Sequence, residues 1–218
     1  MRLAWVALAG LLALAAHADA PRPILVVGDS LSAAYGLASD EGWVALLARR
    51  LREQGYGQGV VNASVSGDTS RGAAGRLPDL LARHAPSIVI IEIGGNDGLR
   101  GLPLDQMRAN IERMIDGAEK ADARVLLLGM RIPPNYGARY ADEFHAIYEE
   151  LAQQHDASLV PFLLDGIALD QQLMQEDGIH PRAAAEPLIL DLVWARLEPL
   201  LKNAGARGPP PSGAPAHD

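Results

Sequence analysis

The sequence predicts a single α/β domain: a doubly wound, parallel five-stranded sheet with helices on both faces. Short apolar runs rich in Val, Ile and Leu recur along the chain, and a stretch of helical periodicity follows each of them. Continuous apolar runs are typical of strands buried on both faces, as the strands of parallel sheets are. The chain has 218 residues, of which 49% are hydrophobic, so it is long enough to bury one such core.

The alternation also predicts the order of the elements. Each strand is expected to continue through a helix into the next strand, which is the connection that parallel pairing requires. The predicted strands are Ile24–Val27, Val60–Ala63, Ile88–Ile93, Val125–Gly129 and Ser158–Phe162. The predicted helices are Trp43–Gln54, Ser70–His84, Leu104–Lys120, Ala141–Gln154 and Ala183–Leu201.

The two ends of the chain differ in composition from the domain, which we place at residues 23–201. Residues 1–18 carry an early arginine, an apolar stretch and an Ala-x-Ala pattern ending at Ala18, as expected of a cleaved export signal. The apolar stretch is shorter than the roughly 20 residues of a spanning helix, so we expect no stable membrane anchor. The signal predicts a periplasmic or secreted protein. Residues 203–218 are rich in proline and small residues and are predicted to be a disordered tail.

The charge and the cysteine content exclude several functions. The formal net charge is −8, whereas a nucleic-acid surface needs clustered basic residues, so no nucleic-acid partner is expected. The sequence contains no cysteine, which excludes disulfide bonds and a thiol nucleophile. A nucleophile in this protein therefore has to be an oxygen or an amine.

Polar loops follow the predicted strands, and ligands of open parallel sheets bind beyond the carboxyl ends of the strands. Ser30 follows the first strand, Gly67 the second and Asn96 the third. Farther along, the segment "EDGIHPRAA" places Asp177 three residues before His180. A serine hydroxyl needs an imidazole to take its proton and a carboxylate to orient that imidazole, and the sequence supplies all three groups. The backbone N–H groups of Ser30 and Gly67 and the amide of Asn96 are suitable donors to an oxyanion.

Each of these features, taken alone, has an ordinary structural interpretation. Gly-Asp-Ser after a strand is a common turn, the residues after Gly67 are typical of a helix cap, and Asn96 fits a turn. A histidine before a proline at a helix start is commonly a solvated or capping residue. The occurrence of four such features at predicted strand ends favours an active site.

Other catalytic and cofactor motifs are absent from the sequence. Gly28–Ser32 lacks the second glycine of the Gly-x-Ser-x-Gly nucleophile elbow. The glycine-rich segment 55–59 precedes a strand and lacks Gly-x-Gly-x-x-Gly spacing, so no dinucleotide is expected. His84, His145 and His155 lack the paired spacing of metal ligands, and we assign no metal and no cofactor.

The four loops together resemble the SGNH (GDSL) hydrolases, whose name-giving residues match Ser30, Gly67, Asn96 and His180. The matching segments are "GDSLSAAYG", "SGDTSRG", "GGNDGLRG" and "DGIHP". Within the family, the chain is most similar to bacterial periplasmic thioesterases that are also described as lysophospholipases, arylesterases and proteases. The segment "RIPPNYGARY" adds to this closer similarity.

The resemblance implies a flavodoxin-like fold, in agreement with the alternating strands and helices. It implies that Ser30 is the nucleophile, His180 the base and Asp177 its partner, and that Ser30, Gly67 and Asn96 form the oxyanion hole. The implied activity is hydrolysis of small-molecule acyl esters and thioesters through an acyl-enzyme. The implied substrates include aryl esters, acyl-CoA and lysophospholipids.

The site that holds the acyl group is a separate prediction. Leu99, Ile132 and Pro133 fall in loops near the predicted crevice and are expected to line an apolar substrate groove, with loop packing as the alternative. Two other functions stay open, a carbohydrate O-deacetylase of the same family and a non-catalytic exported binding module. An aromatic content of only 5% argues against a sugar-stacking surface. The sequence predicts neither the physiological substrate nor the oligomeric state.

Overall fold

A computed structural model describes residues 21–204 of the chain. The predicted export signal and the part of the predicted tail beyond residue 204 lie outside the described residues. The α/β prediction is confirmed, since five parallel strands form one sheet with helices packed around it. Within residues 21–204, no helix combines the length and apolar character that a membrane span requires.

Strands and helices alternate along the chain, with one additional short helix after the third strand. The strands are β1 (Ile24–Gly28), β2 (Val60–Asn62), β3 (Ile88–Glu92), β4 (Arg124–Leu128) and β5 (Ser158–Val160). The α-helices are α1 (Trp43–Glu53), α2 (Ser70–His84), α3 (Gly95–Leu99), α4 (Leu104–Lys120), α5 (Ala138–Gln154) and α6 (Glu186–Ala204). Single-turn 3-10 helices, Pro134–Tyr136 and Ala183–Ala185, precede α5 and α6.

The strand order is β2-β1-β3-β4-β5. Strand β2 therefore lies on one side of β1, and β3, β4 and β5 follow one another on the other side. The direction of strand addition reverses at β1, which opens a crevice at the carboxyl ends of the strands. Gly28 pairs with Glu92 in the register of β1 and β3, so the loops after these strands begin side by side. The order therefore makes the loops after β1, β2 and β3 neighbours.

Helices form two layers on the sheet. Helix α1 packs against α6, whereas α4 packs against both α2 and α5. Strands β1 and β3 are buried over their full length, as their unbroken apolar runs predict. Trp43 of α1 and Phe144 and Tyr148 of α5 are the largest fully buried side chains. Fully burying a side chain such as Phe144 contributes about 1.5–3 kcal/mol, so these contacts stabilise the packing of both helix layers on the sheet.

Several boundaries differ from the prediction by one to three residues. The helix predicted from Ala141 begins at Ala138, because Gly137, with a φ of 96°, turns the chain into the helix earlier. The predicted last helix starts with a 3-10 turn and becomes α-helical only at Glu186. Helix α3 replaces the expected turn around Asn96, which therefore lies in a first helical turn.

Candidate active site

The loops after three neighbouring strands supply three of the predicted site residues. Ser30 lies in the turn after β1, Gly67 in the loop after β2 and Asn96 in α3, directly after β3. Because β1 lies between β2 and β3, the three loops leave the same part of the carboxyl edge. The sheet itself thus determines the approximate position of these residues.

Ser30 begins a continuous chain of hydrogen bonds. Its Oγ lies 2.8 Å from Nε2 of His180, and Nδ1 of His180 lies 2.7 Å from Oδ2 of Asp177. Both distances are in the range of well-formed hydrogen bonds. The His180 side chain is 15% exposed, so the imidazole is largely shielded from solvent. A hydroxyl, an imidazole and a carboxylate in this order have the geometry of an activated serine nucleophile.

Asp177 is held by the turn that carries His180. Its Oδ1 accepts from the backbone N–H groups of Ile179 at 2.9 Å and His180 at 3.0 Å. Burial acts to raise the pKa of Asp177, but the hydrogen bonds from the His180 backbone and side chain and from Ile179 lower this pKa to about 2. The carboxylate is therefore ionised at neutral pH. It favours the tautomer with hydrogen on Nδ1, which leaves Nε2 free to accept the serine proton.

The histidine reaches the serine through a long connection. Residues 161–182 leave β5 at one edge of the sheet and return towards β1. The backbone N–H of Gln175 donates to the carbonyl of His180 at 2.7 Å. The side-chain amide of Gln175 donates to the carbonyls of Tyr35 and Pro181, each at 2.9 Å. Gln175 thereby joins the loop that carries His180 to the loop that carries Ser30.

The ring of Tyr35 contacts the ring of His180. Their centroids lie 4.4 Å apart with a tilt of 38° between the planes. A cavity of about 550 Å³ opens beside them, and Gln175, Asp177 and Arg182 contribute to its lining. The tyrosine therefore limits rotation of the imidazole and forms a wall of the space next to it.

The candidate oxyanion donors are joined by Arg100. Its guanidinium donates to the backbone oxygen of Gly67 at 3.0 Å and to Oδ1 of Asn96 at 3.4 Å. Gly67 has a φ of 80°, in the left-handed region that favours glycine. Asn96 Nδ2 donates one hydrogen to Oδ2 of Asp29 at 3.2 Å, and an amide nitrogen carries a second hydrogen. The arrangement joins the loops after β2 and β3 next to the serine.

Two buried carboxyl groups lie next to the turn that carries Ser30. Asp29 is 2% exposed and Glu92 is 0% exposed. Burial raises the pKa of Asp29 to about 6, against hydrogen bonds from Leu31, Glu92 and Asn96 that lower it. Burial, together with the nearby charge of Asp29, raises the pKa of Glu92 well above its usual range. At pH 8 Asp29 is therefore ionised, and of the two carboxyl groups Glu92 holds its proton more strongly.

The three predicted substrate residues occupy different environments. Leu99 is half-buried at the end of α3, and Pro133 is exposed after β4. Ile132 is buried in the core, and a Cβ added at Gly98 would lie 2.6 Å from its Cγ2. This position favours the packing interpretation for Ile132. A substrate role of these residues stays a prediction.

Sequence reasoning did not single out several residues that organise the site. Tyr35 and Arg100 lie inside the segments that carry the family resemblance, and this position could have identified them as site residues. Glu92 is the one acidic residue in the apolar run "IVIIEIGG", which also marks it as unusual. Gln175 has no such signal, because its role depends on a tertiary contact with a residue 140 positions away.

One cluster within residues 21–204 has the composition of a metal site. Ligand atoms of Asp116 and Glu119 on α4 and of His155 after α5 all lie within 4.8 Å of one another. His155 precedes the start of β5, so this cluster lies at the amino edge of the sheet, away from Ser30. Exposed acidic groups commonly cluster without an ion. The assignment of no metal therefore stays a prediction, and the hydrogen-bond chain at Ser30 involves none of these residues.

The chain is similar in sequence and in fold to several known proteins. The model of the "GDSL-like Lipase/Acylhydrolase family" matches residues 26–186. Esterase TesA of Pseudomonas aeruginosa is 53% identical over 182 residues, 84% of this chain and 90% of that protein. Thioesterase 1/protease 1/lysophospholipase L1 of Escherichia coli K12 is 42% identical over 187 residues, 86% of this chain and 88% of that protein. The crystal structure of esterase EstA from Pseudoalteromonas sp., inhibited by monoethylphosphonate, matches with a TM-score of 0.79 and 41% identity, covering 84% of this chain and 100% of that chain.

Proposed function

Because the chain belongs to the GDSL-like Lipase/Acylhydrolase family, we propose that Ser30 is its nucleophile, with His180 as general base and Asp177 as the partner of His180. The observation that supports this most is the unbroken hydrogen-bond chain from Ser30 through His180 to Asp177. The backbone N–H groups of Ser30 and Gly67 and the side-chain amide of Asn96 are the proposed oxyanion donors. The protein is a serine hydrolase of acyl esters.

In the proposed reaction, Ser30 Oγ attacks the carbonyl carbon of an acyl ester or thioester while its proton passes to Nε2 of His180. The carbonyl oxygen becomes an oxyanion, which the three donors stabilise. When the C–O or C–S bond breaks, His180 gives the proton to the leaving group, and the acyl group stays on Ser30 as an ester. A water molecule, deprotonated by His180, then attacks this ester, and His180 returns the proton to Ser30 Oγ as the carboxylic acid leaves.

We propose that the substrates include aryl esters, acyl-CoA thioesters and lysophospholipids. The names of the Pseudomonas and Escherichia relatives, which include esterase, thioesterase and lysophospholipase, support this range. Exposed apolar side chains at the carboxyl edge also support it: Val65 after β2, Leu102 after α3 and Tyr136 after β4. With Leu99 and Pro133 they would form an apolar rim suited to an acyl chain.

The test is hydrolysis of p-nitrophenyl esters from acetyl to palmitoyl, with Ser30→Ala as the matched variant. We expect activity with medium or long acyl chains, and a loss of roughly 10⁴-fold or more in Ser30→Ala. A phosphonate ester should label the parent protein and leave Ser30→Ala unlabelled. Activity confined to acetyl esters would favour the carbohydrate O-deacetylase. Normal turnover by Ser30→Ala would contradict the assignment of the nucleophile.

We further propose that the protein acts in the periplasm or after secretion, on the basis of the export signal in residues 1–18. Cleavage after Ala18 would make Asp19 the first residue of the mature chain. N-terminal sequencing of protein recovered from the exported fraction should read Asp19 first. Recovery of the full-length chain, starting at Met1, would contradict cleavage.

A further inference from the structure

The carboxyl groups of Asp29 and Glu92 are buried beside the nucleophile, and the proposed mechanism gives them no role. Burying two carboxyl groups next to each other is costly, so their retention needs a structural or functional reason. Strand register places them together, because Gly28 at the end of β1 pairs with Glu92 at the end of β3. A Cβ added at Gly28 would lie 2.6 Å from Oε2 of Glu92, so only glycine admits this approach.

Glu92 accepts two hydrogen bonds from the turn that carries Ser30. Its Oε2 accepts from the backbone N–H of Asp29 at 3.1 Å and from the hydroxyl of Ser32 at 2.7 Å. Asp29 in turn accepts from the backbone N–H of Leu31 through Oδ1 at 3.1 Å. The residues on both sides of Ser30 are thereby fixed, and with them the direction of the Ser30 N–H.

The second oxygen of Asp29 contacts the loop after β3. Its Oδ2 accepts from Nδ2 of Asn96 at 3.2 Å. An ionised carboxylate can only accept hydrogen bonds, so it holds the NH₂ side of the Asn96 amide towards itself and the carbonyl side away. Arg100 donates to that carbonyl side, at 3.4 Å, which favours the same orientation.

We propose that Asp29 is a positioning residue that fixes the side-chain amide of Asn96 as an oxyanion donor, an inference that rests on the proposed function of the site. One amide hydrogen is used by Asp29, and the other is directed to the carbonyl oxygen of the substrate. Glu92 keeps Asp29 in place by accepting its backbone N–H. Asp29 therefore couples the nucleophile loop after β1 to the oxyanion donor after β3.

The test is a double-mutant cycle with Asp29→Asn and Asn96→Ala, assayed on a p-nitrophenyl ester at pH 8. An asparagine at position 29 presents both an oxygen and an NH₂ group, so it no longer dictates how the Asn96 amide is turned. We expect Asp29→Asn to lower kcat by roughly 10- to 100-fold with KM within about twofold, since Asn96→Ala alone should cost roughly 10²–10³-fold. In the Asn96→Ala background, Asp29→Asn should cost less than about threefold.

Equal losses in both backgrounds would show that Asp29 acts independently of Asn96 and would overturn the proposal, as would unchanged kcat in Asp29→Asn. The control is Glu186→Gln, another buried carboxyl that accepts a backbone N–H, which should leave kcat unchanged. If Asp29→Asn does not fold, Asp29→Ala removes the acceptor without adding an amide, and equal losses in both backgrounds or an unchanged kcat would again overturn the proposal. Failure of the proposed function is separate, because it appears as normal turnover by Ser30→Ala.

Discussion

Two regions of the molecule supply the candidate active site, and they are positioned in different ways. The loops after β1, β2 and β3 begin at adjacent strands, so the hydrogen bonds of the sheet determine where Ser30, Gly67 and Asn96 lie. Asp177 and His180 come from a long connection that starts at β5, on the far edge. No strand pairing determines their position relative to Ser30.

Several apolar side chains of the long connection are buried in the core, among them Leu163, Ile167 and Met174, but the turn that carries His180 is positioned by side-chain and turn hydrogen bonds. Asp177 holds the backbone of its own turn, and Gln175 joins that turn to the carbonyl of Tyr35. Individual hydrogen bonds of this kind contribute about 1 kcal/mol each, far less than a buried strand pair with its side chains. His180, the proposed base, should therefore be easier to displace from the site than the proposed oxyanion donors.

The largest expected effect comes from removing the proposed base, His180. His180→Ala should lower kcat/KM by roughly 10⁴-fold or more, because Ser30 then has no acceptor for its proton. Adding Ser30→Ala should cause little further loss, since serine and histidine act as a unit. Ester hydrolysis by the two single variants and the double variant tests this. A multiplicative loss in the double variant would contradict the shared role, and circular dichroism should show that all three are folded.

An intermediate effect is expected from breaking the link between the two regions. Gln175→Ala removes the hydrogen bonds to the carbonyls of Tyr35 and Pro181 and should lower kcat/KM by roughly 10-fold. The exposed neighbour Gln171 offers the matched control, and Gln171→Ala should leave the rate unchanged. Comparable rates in Gln175→Ala and Gln171→Ala would mean that the hydrogen bonds of the Gln175 side chain do not help to position His180.

The smallest effect concerns the point where the long connection rejoins the fold. Glu186, the first residue of α6, accepts from the backbone N–H of Trp43 at 2.7 Å and so caps α1. Burial raises the pKa of Glu186 to about 7, although the Trp43 N–H acts to lower it. The ordinary value is 4.5, so the folded protein binds this proton more tightly than the unfolded chain. Stability contributed by the protonated group is present below pH 4.5 and is lost as the pH rises towards 7.

Glu186→Gln keeps the acceptor for Trp43 and removes the buried charge. We expect it to raise the free energy of unfolding at pH 8 by on the order of 1–3 kcal/mol, with the difference vanishing below about pH 4.5. Urea unfolding at several pH values measures this, and Glu176→Gln, at an exposed glutamate, provides the control. A stability difference that stays constant from pH 4 to pH 8 would exclude the ionisation as its cause.

The sequence predicted the regular part of the fold closely. Ser70–His84 and Leu104–Lys120 are helices with the predicted bounds, since their apolar periodicity is uninterrupted. Strand β5 ends at Val160 instead of Phe162, because Pro161 has no N–H to continue the ladder. Helix α3 was not predicted, because five residues are too few to show a helical period.

By itself the sequence determined most of the strands and helices and identified the candidate nucleophile, base and carboxylate, because these depend on local periodicity and residue type. Only the tertiary structure decided that Nε2 of His180 lies 2.8 Å from Ser30 and that Asp29 contacts Asn96 at 3.2 Å. Those contacts join residues 150 and 67 positions apart. They depend on strand order and on the path of the long connection, and no local pattern in the chain encodes either.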